Sequence, residues 1–163
     1  MIRLTVLLII SLIFALSCTE EKAQENSVFL YQNQVDIEYG SDICSFTGEP
    51  IETVRYGGKI IMENGEEHKF MSVECVAGFV LSLENSSDIA SIQIVDFAHG
   101  QQFLPVDDLI YLQSHLRPSP NGLFLTAVDK SNTRMVQYIY DAYPGNYLEW
   151  DEVLALVSRE WDL

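Results

Sequence analysis

One order of elements, strand–strand–helix–strand, can be read twice along this chain, and that repetition constrains the fold more than any other feature. Residues 53–62 ("TVRYGGKIIM") predict a strand interrupted at Gly57-Gly58, Asn64-Gly65 a hairpin turn, and residues 66–71 the returning strand. Ser72-Val73-Glu74-Cys75 then reads as a helix start, a hydroxyl N-cap followed by an acid in the first turn. Val76, Phe79, Val80 and Leu83 follow at helical spacing, and Asn85-Ser86-Ser87 ends the helix. Residues 89–97 ("IASIQIVDF") alternate apolar and polar side chains as a half-buried strand does.

The second half restates the pattern. Residues 107–115 read as a strand, with a short helix as the alternative, and residues 118–122 as a loop leading into a strand over 122–128. A helix opens at Ser131 with Met135, Tyr138, Ile139 and Ala142 on one face, and Pro144-Gly145-Asn146 ends it. Tyr147-Leu148 gives a short strand and residues 150–161 a final amphipathic helix. The expected fold is α+β: two packed ββαβ-type units forming one domain, spanning about residues 42–97 and 104–163. The halves share element order and little sequence.

Ahead of that domain lies a different kind of segment. After Met-Ile-Arg, an apolar run from Leu4 to Leu16 is broken only by Thr5 and Ser11 and ends at Ser17-Cys18. A single positive charge, a short apolar stretch and a small residue before the break describe an export signal over residues 1–17. The run is short of the roughly 20 apolar residues a membrane-spanning helix needs. "ALSC" resembles a lipobox, which implies lipidation of Cys18 and an anchor in the bilayer, with an ordinary cleaved signal as the alternative. Residues 18–27 continue as "CTEEKAQENS", polar and without apolar periodicity, and read as a flexible tether to a domain over residues 28–163. The expected location is the bacterial cell envelope, with the domain facing the periplasm or the outside.

The formal net charge is −15. Such a surface repels polyanions, which argues against nucleic acid as a partner. Gly-rich phosphate loops, H-E-x-x-H and G-x-S-x-G are all absent, and no enzymatic role is expected.

After Cys18 only Cys44 and Cys75 remain. Outside the cytoplasm two cysteines usually form a disulfide, and a thiolate pair for a soft metal is the other reading. Cys75 lies near a helix N-terminus, where the dipole and free N–H groups should lower its pKa. Met71, at the strand–helix junction, could add a thioether to that thiolate, a set that selects Cu(I) over hard ions. His68 is a candidate nitrogen donor. Each has a structural reading beside the functional one: Met71 as core filler, His68 as an exposed strand residue between Glu67 and Lys69. Cys44 sits in "DICSFTGEP", a turn that can pass over the start of the Cys75 helix. A thiol enzyme would need His99 or His115 beside a cysteine, and nothing in their spacing favours that.

With these residues in place the chain resembles the NosL-like lipoproteins, accessory copper-binding proteins associated with nitrous oxide reductase. The similarity runs through "DICSFTGEPIETVRYGGKIIMENGEEHKF", the cysteine-bearing helix "FMSVECVAGFVLS", the strand "IQIVDF" and the late "GLFLTAVDKSNTRMVQYI". It implies paired ββαβ units and a lipid-anchored carrier that delivers or sequesters Cu(I) outside the cytoplasm, handing it to a copper-accepting periplasmic or membrane protein. By motif position Cys44 matches the family's first cysteine and Cys75 the cysteine at the helix start. The chain departs from the pattern in its donors. Thr47 stands for the second cysteine of a C-x-x-C segment, and Glu49-Pro50 where a methionine usually follows. Met71 replaces an acidic residue, and the loop "RPSPNGL" carries no methionine.

Overall fold

The computed structural model describes residues 34–163. The export signal, Cys18 and the tether expected from the sequence lie outside the described residues, as do the first positions of the domain expected from residue 28 onward. Among the described residues no helix is long and apolar enough to cross a membrane.

Two antiparallel sheets repeat one topology. The first is built from β1 (Gly58–Met62), β2 (Glu67–Phe70), β3 (Ile89–Val95) and β4 (Phe103–Pro105), ordered β2-β1-β3-β4. Between β2 and β3 the chain forms α1 (Val73–Ser82). The second sheet contains β5 (Leu109–Gln113), β6 (Leu125–Asp129) and β7 (Asn146–Leu148), ordered β6-β5-β7, with α2 (Thr133–Ala142) between β6 and β7. In both units the first hairpin strand lies in the middle, and the strand after the helix pairs antiparallel with its free edge. This is the α+β pair of ββαβ units expected from element order. The chain closes with α3 (Trp150–Trp161), opened by a capping box between Glu149 and Glu152.

Three details differ from the sequence reading. The strand expected from residue 53 begins at Gly58, because Gly57-Gly58 is a point of close packing: a Cβ on Gly58 would lie 2.6 Å from Val76 Cγ2, and one on Gly57 2.7 Å from the Phe70 carbonyl. β4 was not foreseen; its three residues carry too little pattern, and it pairs residues 103–105 with β3 of the first sheet. In α2, Tyr138 is 69% exposed and Ala142 is exposed too, so the buried stripe is Met135, Val136, Ile139, Tyr140 and Tyr143. That stripe has the i, i+4 spacing of a helix face, rotated by about one residue from the expected one.

α1 is apolar on nearly every side because it is surrounded. It packs on β1 and β2 of its own unit, on β6 of the other, and on α3. Val73, Val76 and Ala77 are buried there with Phe70, Ile94, Leu109 and Leu125. Its N-terminus therefore opens at the seam between the two sheets.

The segment before β1 is tied down by ion pairs. Buried Lys59 holds Asp36 at 2.8 Å, and Lys69 holds Asp42 at 2.8 Å while also donating to the Asp36 carbonyl. Those contacts fix residues 35–51 across the first sheet, with the Cys44 turn over the start of α1.

Candidate metal centre

The turn that carries Cys44 is held by its own backbone. Cys44 N–H donates to the Glu49 carbonyl and Gly48 N–H returns to the Cys44 carbonyl, both at 2.8 Å. Gly48 closes the turn at φ +75°, a conformation glycine adopts without the Cβ clash other residues suffer. Ser45 N–H donates to the Lys69 carbonyl at 2.9 Å, tying the turn to β2. Phe46 then reaches across α1 to stack on Trp161, with ring centroids 5.3 Å apart and planes 11° apart. Gly78 of α1 provides the space: a Cβ there would meet both rings at 2.7 Å.

Cys75 is the third residue of α1. Its N–H donates to Ser72 Oγ at 3.2 Å, the N-cap bond expected from the sequence. Cys44 and Cys75 are both free, and both are 0% exposed. Their sulfurs meet: the Cys75 thiol lies between the Cys44 sulfur and Asn121 Oδ1, the latter at 3.1 Å.

The electrostatics of this pair reverse the sequence expectation. The surroundings favour the thiolate on Cys44 over Cys75. The hydrogen bond from Cys75 pulls the Cys44 pKa down to about 5, against burial, which raises it. The backbone N–H groups of Thr47 and Met71 and the Thr47 hydroxyl add to the lowering. The same Cys75–Cys44 bond holds the Cys75 proton and pushes that thiol up, assisted by burial and by the charges of Cys44 and Glu74. At Cys75 the helix N-terminus is outweighed by the bond to Cys44 and by burial.

The first turn of α1 also contains a buried carboxyl. Glu74 reads in sequence as an ordinary first-turn acid, yet it is fully buried, and burial pushes its pKa up toward the neutral form. The Ser119 hydroxyl donates to its Oε1, Leu125 N–H approaches that oxygen at 3.5 Å, and its Oε2 has no partner. Asn121 Oδ1, besides facing Cys75, accepts from Ser72 Oγ at 2.7 Å. The loop expected over residues 118–122 is longer, running from 114 to 124 because the flanking strands stop at Gln113 and begin at Leu125, and its Ser119 and Asn121 meet the start of α1.

The candidate ligands divide clearly. Cys44 and Cys75 come together. Met71 gives its backbone N–H to the Cys44 sulfur, and its side chain is buried in the same apolar cluster as both cysteines. His68 stands apart: its ring packs on Phe79 with centroids 4.7 Å apart, and its Nε2 faces Glu66 at 3.5 Å. His68 and Phe70 share the β2 face that receives Phe79, so His68 meets α1 one turn beyond Cys75. His99 is held by Asp96, and His115 lies on Phe124. Among the described residues no three His, Cys, Asp or Glu side chains gather into a metal-holding group. What remains is a two-sulfur centre with oxygen and nitrogen hydrogen-bonding groups around it. A buried thiolate–thiol pair suits a soft ion of low coordination number and offers little to a hard cation.

Sequence reasoning missed Thr47, Asn121, Ser119 and the burial of Glu74. For Thr47 a signal existed, since it stands three residues after Cys44 in a tight turn. For Asn121 none did, because its approach to Cys75 is purely tertiary.

In fold the chain is similar to the copper chaperone NosL from Shewanella denitrificans, with a TM-score of 0.61 and 14% sequence identity. The likeness covers 72% of this chain and 92% of that one. At that identity it shows a NosL-like fold. No protein-family model matches the sequence, and no curated protein matches it.

Proposed function

We propose that this chain is a copper carrier that holds Cu(I) between Cys44 and Cys75 and passes it on by ligand exchange outside the cytoplasm. The observation that carries the reading is the meeting of two free, fully buried cysteines whose sulfurs share a hydrogen bond. The NosL-like fold supports it at the level of architecture. Two sulfurs satisfy Cu(I), which accepts low coordination numbers and prefers soft donors. Cys44 supplies a thiolate, and the ion takes the place of the Cys75 proton, which leaves to solvent. No electron moves in loading or in transfer. An incoming soft ligand of the acceptor adds to the ion as one cysteine departs, so the metal is never released to water.

In this reading Cys18 is the lipid attachment point and residues 18–27 the tether, placing the carrier in the bacterial envelope beside a copper-accepting periplasmic or membrane protein. The protein is a carrier and not an enzyme. Met71 is an accessory thioether, and His68 takes no part in the site.

The test is an anaerobic Cu(I) titration of the reduced full-length chain against a competing chelator, in a Cys18→Ser background so that only two thiols respond. One-to-one binding lost in Cys44→Ser and in Cys75→Ser, weakened in Met71→Ala and unchanged in His68→Ala is the expected outcome. A folded, fully reduced protein that takes up no copper refutes the proposal.

A further inference from the structure

We propose that residues 114–124 form a gate over the cysteine pair, latched to the first turn of α1 by Asn121 and Ser119. Its use in metal passage rests on the carrier reading; its existence does not.

Both sulfurs are sealed from solvent, so any reagent or partner that reaches them needs one of the covering segments to move. Three segments cover them, and their attachments differ in kind. The Cys44 turn is fixed by main-chain hydrogen bonds within itself and to β2, and by the Phe46–Trp161 stack. The first turn of α1 is part of the core. Residues 114–124, the connection between β5 and β6, meet α1 only through side chains. Asn121 Oδ1 accepts from Ser72 Oγ and lies 3.1 Å from the Cys75 sulfur, and the Ser119 hydroxyl reaches Glu74. Among the described residues no main-chain hydrogen bond joins this connection to α1.

Its base, by contrast, is firm. Ser114 N–H donates to the Phe124 carbonyl at 3.0 Å, Gln113 Nε2 to the Leu123 carbonyl at 3.3 Å, and Ser114 Oγ to the Pro144 carbonyl at 2.8 Å. Arg117 sits over Phe97 at 4.2 Å, with Tyr143 at 5.2 Å and no carboxylate partner, and beside it the Tyr56 hydroxyl donates to the Pro118 carbonyl at 3.1 Å. A guanidinium held mainly by ring faces, with one long hydrogen bond, tolerates more sliding than one fixed in an ion pair. Phe124, at the base, is held at φ +65°, a left-handed conformation costly for an aromatic residue, and its N–H donates to Ser119 Oγ at 2.9 Å. The latch residue Ser119 therefore also holds the strained one, so unlatching and relaxation go together. A rigid base, a sliding anchor and a side-chain latch on the sealed atoms are the parts of a gate.

The experiment follows the reaction of an aromatic disulfide reagent with the reduced, metal-free full-length chain in the Cys18→Ser background. Asn121→Ala and Ser119→Ala should each speed the reaction by about tenfold, the factor that one lost hydrogen bond of ordinary strength is worth. Ser119 touches neither sulfur, so its effect separates gating from altered thiol chemistry. Hydrogen exchange should show the amides of 114–124 opening faster in both variants, with those of α1 unchanged. Unchanged thiol rates in folded variants overturn the gate, and so does an α1 that opens together with the connection. In the copper arm, Asn121→Ala should speed loading and unloading together. A protein that binds no copper but keeps the faster thiol kinetics refutes the carrier and leaves the gate standing.

Discussion

Gly78→Ala sets two known effects against each other, and the structure says which wins. In an exposed helix the change would stabilise by about 1 kcal/mol, through propensity alone. Here the new methyl would lie 2.7 Å from Phe46 Cζ and 2.7 Å from Trp161 Cζ3. Neither ring has room to yield independently, because each is stacked on the other at 5.3 Å. Overpacking of this kind costs about 1–3 kcal/mol, and loss of the aromatic pair about 1 kcal/mol more. The balance is a net destabilisation of about 2 kcal/mol. Because Phe46 belongs to the turn that carries Cys44, the damage is also local: the Cys44 sulfur moves off Cys75 and its pKa rises from about 5. Denaturant unfolding gives the first quantity, and the pH dependence of ultraviolet thiolate absorbance the second. A variant stabilised by about 1 kcal/mol with an unaltered thiolate titration would refute the claim that Gly78 exists to seat the Cys44 turn.

Thr47→Val removes one donor from the Cys44 sulfur and keeps the backbone one, so the thiolate titration should shift up by about one pH unit, while Cys75→Ala shifts it further. Because the folded Cys44 pKa is depressed from 9.0 to about 5, its contribution to stability is full above pH 9 and is lost as pH falls through 5. The difference in denaturation midpoint between the reduced wild type and Cys44→Ser, in which the Glu74 contribution cancels, should grow with pH across that window. Glu74→Gln keeps the oxygen that Ser119 reaches and replaces the orphaned Oε2 by an amide that needs no proton. The folded Glu74 pKa is raised, so the wild type loses stability as pH rises above 4.5 through the folded value, and the variant should gain on it there by about 1–2 kcal/mol. Equal pH profiles in the two proteins would show that Glu74 is not the buried acid responsible.

The parts of the fold legible in the sequence were those written in local periodicity and turn chemistry. Asn64-Gly65 marked the first hairpin, Ser72 capped α1 as expected, and the repeated element order gave two ββαβ units. β4 was not legible because three residues ending in proline carry no alternation. The α2 face was misjudged because its apolar arc is broad, running from Tyr138 to Tyr140 opposite the polar side of Arg134, Gln137 and Asp141, and only the packing on β6 decides which part of that arc is buried. At the site, the sequence allowed the Cys44 turn to pass over the start of the Cys75 helix, but it did not give the electrostatics. A helix N-terminus at Cys75 was visible, whereas the donors on Cys44 come from a turn amide, a hydroxyl and the backbone of a residue on another element. His68 was adjacent to the site in sequence and does face α1, but it meets that helix at Phe79, one turn beyond Cys75.

The position of the pair explains why these contacts come from distant stretches of chain. α1 touches both sheets, so its first turn lies where the two units meet, and each unit contributes one cover: the Cys44 turn from the first, residues 114–124 from the second. A ligand bound between the sulfurs binds only the folded chain, since neither the turn nor the connection is positioned without both sheets. Binding therefore stabilises the whole domain by mass action, and the gain grows with ligand concentration over its dissociation constant. The same geometry makes the two covers unequal. The turn is welded to its unit by main-chain bonds and a ring stack, while the connection rests on α1 through three side-chain contacts. On the carrier reading, holding an ion tightly demands that both stay closed, and passing it on demands that one open. The division of labour between a fixed donor turn and a lightly latched connection meets both demands in one small domain.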